Sequence, residues 1–283
     1  MFKSWIEKQK TLTFAVLALL LLVASCTQNG GTAPTAPEQS PVEERTTLTV
    51  YAAASLTDAF GKLAETYKVN NSNVDVVFSF AGSNQLAAQI NQGAPVDVFA
   101  SANLSQMENV VAEGRIDADA PRVFVTNRLV LAYPEANPAG ITTLADLALP
   151  GTLIVLAAEE VPVGRYSLEF LDKATADPTF GSSFKEDVLA NVVSYEENVR
   201  AVLNKVSLGE ADAGIVYLSD LVGVEGVSYL EIPDSLNSVA EYPIAALNDS
   251  KNAEAAAAFI NLVIGAEGQA ILGEYGFGPA PAP

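Results

Sequence analysis

With 283 residues, 49% of them hydrophobic and 17% charged, the chain has the composition of a folded globular protein with room for one large domain or two ordinary ones. The 34 acidic against 15 basic residues leave a net charge of −19, a field that repels phosphate backbones and argues against a nucleic-acid partner. There is no histidine, and Cys26 is the only cysteine, which removes the Ser-His-Asp triad, His or Cys metal clusters and any intrachain disulfide.

The chain opens with Lys3, Lys8 and Lys10 and continues into the unbroken apolar run Phe14 to Ala24. A basic start and an apolar middle too short for a comfortable membrane span are the layout of a secretory signal, so residues 1–25 are expected to be a signal peptide. Val23-Ala24-Ser25-Cys26 resembles the bacterial lipobox. That resemblance implies cleavage before Cys26, lipid on its sulfur and attachment to the outer face of a membrane. From Thr27 to Thr46 the chain is mostly Gly, Thr, Ala, Pro, Gln and Glu, with Pro34, Pro37 and Pro41, and it buries too little to fold. Residues 26–46 therefore read as the lipidated cysteine and a flexible linker, and the folded body starts near Thr47.

Beyond that point strand-like and helix-like patterns alternate. Leu48 to Ala53 is a short apolar run that passes through Ser55 into a helical pattern; Val74 to Phe80 passes through Ala81-Gly82-Ser83-Asn84 into Gln85 to Asn91; Val96 to Ala100 ends at Ser101 before a third helix that stops at Gly114. Three βα units in succession predict a parallel sheet covered by helices. Val123 to Tyr133 is a long β-like run broken only by Asn127 and Arg128. A second series follows: Leu153 to Ala157, Val163 to Ala174, Val192 to Tyr195, Val199 to Leu208 and Ala213 to Tyr217. Val227 to Ile232 and Tyr242 to Leu247 are further β-like runs, and the last helices cover Asn252 to Ile264 and Gly268 to Tyr275. Two α/β lobes joined by two crossing strands explain this order, with lobe I from 47–126 and 241–283 and lobe II from 127–240.

Ligands of open α/β sheets collect beyond the carboxyl ends of the strands. Those ends hold Ser55, Ser83, Ser101, the Val161-Pro162-Val163-Gly164 turn, Glu197-Asn198-Val199 and Tyr217. Helix starts of this kind attract anions, although a single serine there is equally a cap on its own helix. The acidic pairs Asp117/Asp119, Glu159/Glu160 and Glu196/Glu197 read as solvated turn residues. Arg165 and Arg200, beside two of the helix starts, read as partners of acids rather than as anion ligands.

Taken in order, Tyr51-Ala-Ala-Ala-Ser-Leu56, Ser79-Phe-Ala-Gly-Ser83, Gly93-Ala-Pro-Val-Asp-Val-Phe-Ala-Ser-Ala102, Glu160-Val-Pro-Val-Gly164, Glu197-Asn-Val-Arg200 and Gly214-Ile-Val-Tyr217 resemble the molybdate-binding proteins of ABC-type uptake transporters, from about Leu48 to Phe277. The resemblance implies a bilobal α/β periplasmic-binding-protein fold of type II and an extracytoplasmic monomer, in the periplasm or on the outer face. It also implies capture of molybdate and tungstate between the lobes, delivery to a membrane permease, and neither a cofactor nor an enzymatic activity. Carried over by motif, the metal oxyanion would meet the hydroxyls and nearby amides of Ser55 and Ser83, the backbone at Val163 and Val199, and the phenol of Tyr217. Family members often have alanine at Val163 and serine at Gly82. Two other readings stay open at this point: a binder of another tetrahedral oxyanion such as sulfate or phosphate, and a serine hydrolase using Ser55, which the missing histidine disfavours.

Overall fold

The computed structural model describes residues 45–281; the expected signal peptide and Cys26 lie outside the described residues. Strand β1 (Thr46–Ala53) leads through a 3-10 turn (Ala54–Leu56) into helix α1 (Thr57–Asn70). β2 (Val74–Ala81) leads into α2 (Ser83–Asn91) and β3 (Val98–Ala100) into α3 (Leu104–Ala112). Then come β4 (Arg122–Asn127), β5 (Leu129–Pro134), β6 (Ile154–Ala157), α4 (Pro162–Ala176), α5 (Phe184–Ala190), β7 (Val192–Glu196), α6 (Val199–Ser207), β8 (Ala213–Tyr217) and β9 (Val227–Glu231). The chain closes with β10 (Ala240–Ala246), α7 (Ala253–Ile264), α8 (Ala266–Glu274) and β11 (Gly278–Pro279).

The strands form two sheets. The first has the order β11-β4-β10-β3-β1-β2 and the second the order β7-β6-β8-β5-β9. In the first, β1 lies parallel between β2 and β3, and β10 runs antiparallel to β3 and β4. In the second, β6 lies parallel between β7 and β8, and β5 runs antiparallel to β8 and β9. Each lobe thus repeats one plan: three parallel strands feed helices, and the chain passes between the sheets at antiparallel strands rather than along one continuous crossing strand. The run Val123 to Tyr133 is two strands in different sheets, divided at Asn127 and Arg128. The chain returns between β9 and β10.

The two lobes bury different side chains. Around Phe60, the first lobe stacks Phe78, Phe124 and Phe259 with ring centroids 5.9–6.1 Å apart, the edge-on and tilted geometry that aromatic quadrupoles favour. The second lobe is mostly aliphatic, with Leu131, Val155, Val202, Val206, Ile215 and Val216 at most 1% exposed. Gly214 makes the approach of α6 to that sheet possible, since a Cβ there would lie 2.7 Å from Val202 Cγ1 and 3.1 Å from Val155 Cγ1. Among the described residues no single helix is long and apolar enough to cross a membrane.

Candidate functional site

The strand-to-helix corners of both lobes meet at one small cavity of ≈ 10 Å³, about the centre volume of one water-sized sphere. Ala53, Ala54, Ser55, Gly82, Ser83 and Ala102 line it from the first lobe; Val161, Pro162, Val163, Asn198, Val199 and Tyr217 line it from the second. Ser55, Ser83, Val163, Val199 and Tyr217 are therefore brought together, while Ser101, Arg165 and Arg200 are not among the lining residues. No lining side chain carries a charge.

Four helix starts border the cavity: the 3-10 turn leading to α1, and the first turns of α2, α4 and α6. The first N–H groups of a helix have no partner within it, and the aligned peptide dipoles make that end positive. In α4 the residue at the first position is Pro162, which has no N–H to leave orphaned and whose fixed φ suits a helix start. At α6 the cap is Asn198, whose side chain accepts from Ala201 N–H at 3.0 Å, leaving the main-chain N–H groups of Val199 and Arg200 free of helical partners.

Neither serine serves as a cap, contrary to the structural alternative the sequence allowed. Ser55 lies inside the 3-10 turn, and the residue before that turn makes no side-chain cap; Gly82 precedes α2, so Ser83 is already its first helical residue. Ser55 Oγ instead lies 2.9 Å from Tyr242 Oη. Ser83 Oγ accepts the Ala102 N–H at 3.0 Å, which leaves the hydroxyl proton for another acceptor. Both serines are at most 3% exposed, so burial holds their hydroxyls in place at the wall.

Tyr217 closes the second lobe's side. It is 1% exposed and its hydroxyl has no hydrogen-bond partner among the described residues, an arrangement that costs about 1–3 kcal/mol unless something bound there accepts the bond. Burial pushes its pKa well above 10, so the phenol keeps its proton and remains a donor. Its backbone N–H donates to Asp220 Oδ2 at 3.2 Å. Asp220 is fully buried, and burial raises its pKa to about 7 despite the nearby Arg200.

Arg200 spends its charge on acids. Its Nε lies 3.1 Å from Asp220 Oδ1, and its guanidinium also pairs with Asp58 on α1 of the other lobe. Gln85 Nε2 donates across the cleft to Glu197 Oε2 at 3.2 Å. The main chains are closer still: a Cβ on Gly82 would sit 2.5 Å from the Glu197 carbonyl oxygen. These contacts between lobes were not read from the sequence, because each pairs residues more than a hundred positions apart. Asp117, Asp119, Glu159 and Glu160 are exposed, and among the described residues no cluster of three metal-ligating side chains occurs. A wider groove of ≈ 370 Å³ on the second lobe has Glu159 and Glu160 in its wall, which gives it the wrong charge for an anion.

Residues 48–278 match the bacterial extracellular solute-binding protein family. The molybdate-binding protein ModA of Mycobacterium tuberculosis is 37% identical over 262 residues, covering 92% of this chain and 95% of the relative. Among solved structures, the periplasmic molybdate-binding protein of Azotobacter vinelandii superposes with a TM-score of 0.70 at 20% identity over 83% of this chain and 99% of its own. The sulfate-binding protein SubI of Mycobacterium tuberculosis does so with a TM-score of 0.75 at 19% identity over 83% and 87%; at those identities the likeness is one of fold. Two mixed α/β lobes, a cleft lined by helix starts and a match across nearly the whole folded body place the chain among the bacterial extracellular solute-binding proteins, alongside the molybdate-binding proteins.

Proposed function

We propose that this protein captures molybdate, and tungstate with it, in the cavity between its lobes and presents the closed form to an ABC permease outside the cytoplasm. It binds its solute and is not an enzyme, as its family membership establishes. The observation that carries the choice of ligand is the wall itself: four helix starts, two buried serine hydroxyls and the unpartnered Tyr217 hydroxyl around a cavity with no charged side chain. An unpaired ion in such a place would cost tens of kcal/mol, so a dianion must meet many donors at once. Hydrogen bonds to a charged acceptor contribute about 1.5–3 kcal/mol each, and several together hold an oxyanion without a buried lysine. In this reading the donors are Ser55 and Ser83 through hydroxyl and amide, Val163 and Val199 through the main chain, and Tyr217 through its phenol. The high identity to a named molybdate-binding relative supports molybdate over the sulfate of the more distant neighbour.

The protein's net charge of −19 does not oppose this, since the distant field is screened over about 8–10 Å at physiological salt while affinity arises at contact. We further propose a lipid on Cys26, the flexible 26–46 linker as tether, a monomer, and function without a cofactor. Calorimetric titration with molybdate, tungstate and sulfate tests the ligand. Molybdate and tungstate are expected to bind at least about tenfold more tightly than sulfate, and Ser83→Ala to weaken molybdate by about 1–3 kcal/mol with the fold intact. Tighter binding of sulfate than of molybdate would overturn the choice of ion.

A further inference from the structure

We infer that Asn127 and Tyr242, on the paired strands β4 and β10 where the chain leaves and re-enters the first lobe, are positioning residues that make the Ser55 hydroxyl a donor toward the cavity. The inference rests on the reading of Ser55 as a ligand contact. Its basis is a directed chain of buried polar atoms. Arg128 N–H donates to Asn127 Oδ1 at 3.0 Å, which turns the amide so that Nδ2 faces the other way. That nitrogen lies 2.8 Å from Ser219 Oγ and 3.4 Å from Tyr242 Oη. An amide can only donate from nitrogen, so the phenol oxygen accepts there. The single phenol proton is then free for Ser55 Oγ, 2.9 Å away. With Ser55 Oγ accepting, its own proton is left for the cavity.

The direction matters because a serine hydroxyl is ambivalent. Left to itself next to a phenol it donates to Oη for part of the time, and an oxyanion with only acceptor atoms gains nothing from it. Ser83 solves the same problem more simply, since its Oγ accepts a main-chain N–H from Ala102 at 3.0 Å and a main-chain N–H cannot reverse. Among the described residues Ser55 has no main-chain donor at its oxygen, and it relies on side chains 72 and 187 positions away.

The local structure of β10 serves this placement. The register of β10 against β4 shifts between Tyr242 and Pro243, at a proline that has no N–H for the ladder, and a bulge of this kind re-aims the neighbouring side chain. Tyr242 is 0% exposed and packs edge-on against Tyr217, Phe124 and Phe277 at ring distances of 5.9, 6.4 and 5.6 Å. Burial raises its pKa above the ordinary phenol value, which favours the protonated phenol. Ser219, at the far end of the chain of atoms, is two residues beyond Tyr217. The hydrogen bonds therefore run from the first lobe's wall through β10 and β4 to Ser219 of the second lobe.

The test is a set of molybdate titrations on the wild type, Ser55→Ala, Tyr242→Phe and the double variant, with thermal unfolding of each ligand-free protein. Ser55→Ala is expected to weaken binding about tenfold and Tyr242→Phe about fivefold, and the double variant to bind within about twofold of Ser55→Ala, because the phenol acts through the serine. The pair Ser83→Ala and Tyr242→Phe should instead multiply. A purely packing role for Tyr242 would lower the unfolding temperature without this non-additivity. If Tyr242→Phe does not fold, Asn127→Ala through the same cycle should weaken binding about threefold, and only while Ser55 is present. Wild-type affinity in Tyr242→Phe, or losses that multiply in the Ser55 pair, overturns the inference while leaving the site reading standing. Unchanged affinity in Ser55→Ala itself removes the site reading and the inference together.

Discussion

The two walls of the cavity are built on the same plan and offer opposite chemistry. The first lobe presents serine hydroxyls, each oriented by a second group behind it: Ala102 N–H behind Ser83 and Tyr242 behind Ser55. The second lobe presents valines, a proline and Asn198, whose side-chain oxygen is taken up by the Ala201 N–H, so whatever it offers a ligand through Val163 and Val199 comes from the main chain, with the Tyr217 phenol as its one hydroxyl. A side-chain wall is read by substituting side chains. A main-chain wall is read by substituting the residues that let the backbone come close, and here those are glycines.

Gly164 is expected to give the largest effect. A Cβ there would lie 2.0 Å from the Ala158 carbonyl oxygen and 2.6 Å from that of Ala157, so the first turn of α4 sits directly on the end of β6. Both obstacles are backbone and cannot swing aside. Gly164→Ala is expected to destabilise the protein by about 3 kcal/mol or more and to lift α4 away from the cavity, measured by urea unfolding and titration on the same preparation. A stability loss below about 1 kcal/mol would mean that α4 tolerates displacement and that its start is not held rigidly enough to act as a fixed donor.

How far this was legible in the sequence differs between the walls. The alternation of apolar runs with helical patterns located nearly every strand and helix to within two or three residues, because each βα unit carries its own periodicity. α5 has no legible pattern: it is one short helix whose buried residues are only Phe184 and Val188, too few for a period to show. Matching strand ends mark Ser55 and Ser83 only as candidates, and their joint role follows from the family resemblance of the motifs around them. Asn127, Tyr242 and the Gly82–Glu197 approach were invisible, since each depends on lobe placement rather than local pattern. The serines themselves looked as much like caps as contacts, and only the atoms bonded to them separate the two.

Gly82 tests the gap between the walls. Its φ of −60° suits any residue, so nothing in its own strand requires glycine. The constraint comes from the other lobe, where the Glu197 carbonyl oxygen would be 2.5 Å from a Cβ, and from Asn84 Oδ1 at 2.7 Å, the movable tip of a side chain. Gly82→Ala should therefore leave ligand-free stability within about 0.5–1 kcal/mol and weaken molybdate about tenfold by stopping closure short. Equal affinity would show that the lobes bind without this approach, whereas a large loss of ligand-free stability would show that they stay closed when empty.

Val163 gives the smallest expected effect and the sharpest contrast with Ser83. Both residues are 1% exposed, both stand in the first turn of a helix, and both line the cavity. If the second wall works through its main chain, Val163→Ala removes bulk and leaves the donor where it was. The helix start is anchored independently, since Ser167 Oγ donates to the Val163 carbonyl at 2.7 Å and Gly164 holds the turn against β6. Stability should fall by about 1 kcal/mol from the lost methyl groups, while molybdate affinity changes by less than about twofold, against the tenfold or greater loss expected for a hydroxyl facing a charge. The slightly wider cavity should move the balance toward larger oxyanions, read as a molybdate-to-sulfate ratio by competition titration. A tenfold loss of molybdate in Val163→Ala would mean that the isopropyl group itself sets the ion's position, and the division into a side-chain wall and a main-chain wall would fail at the residue where it is cleanest.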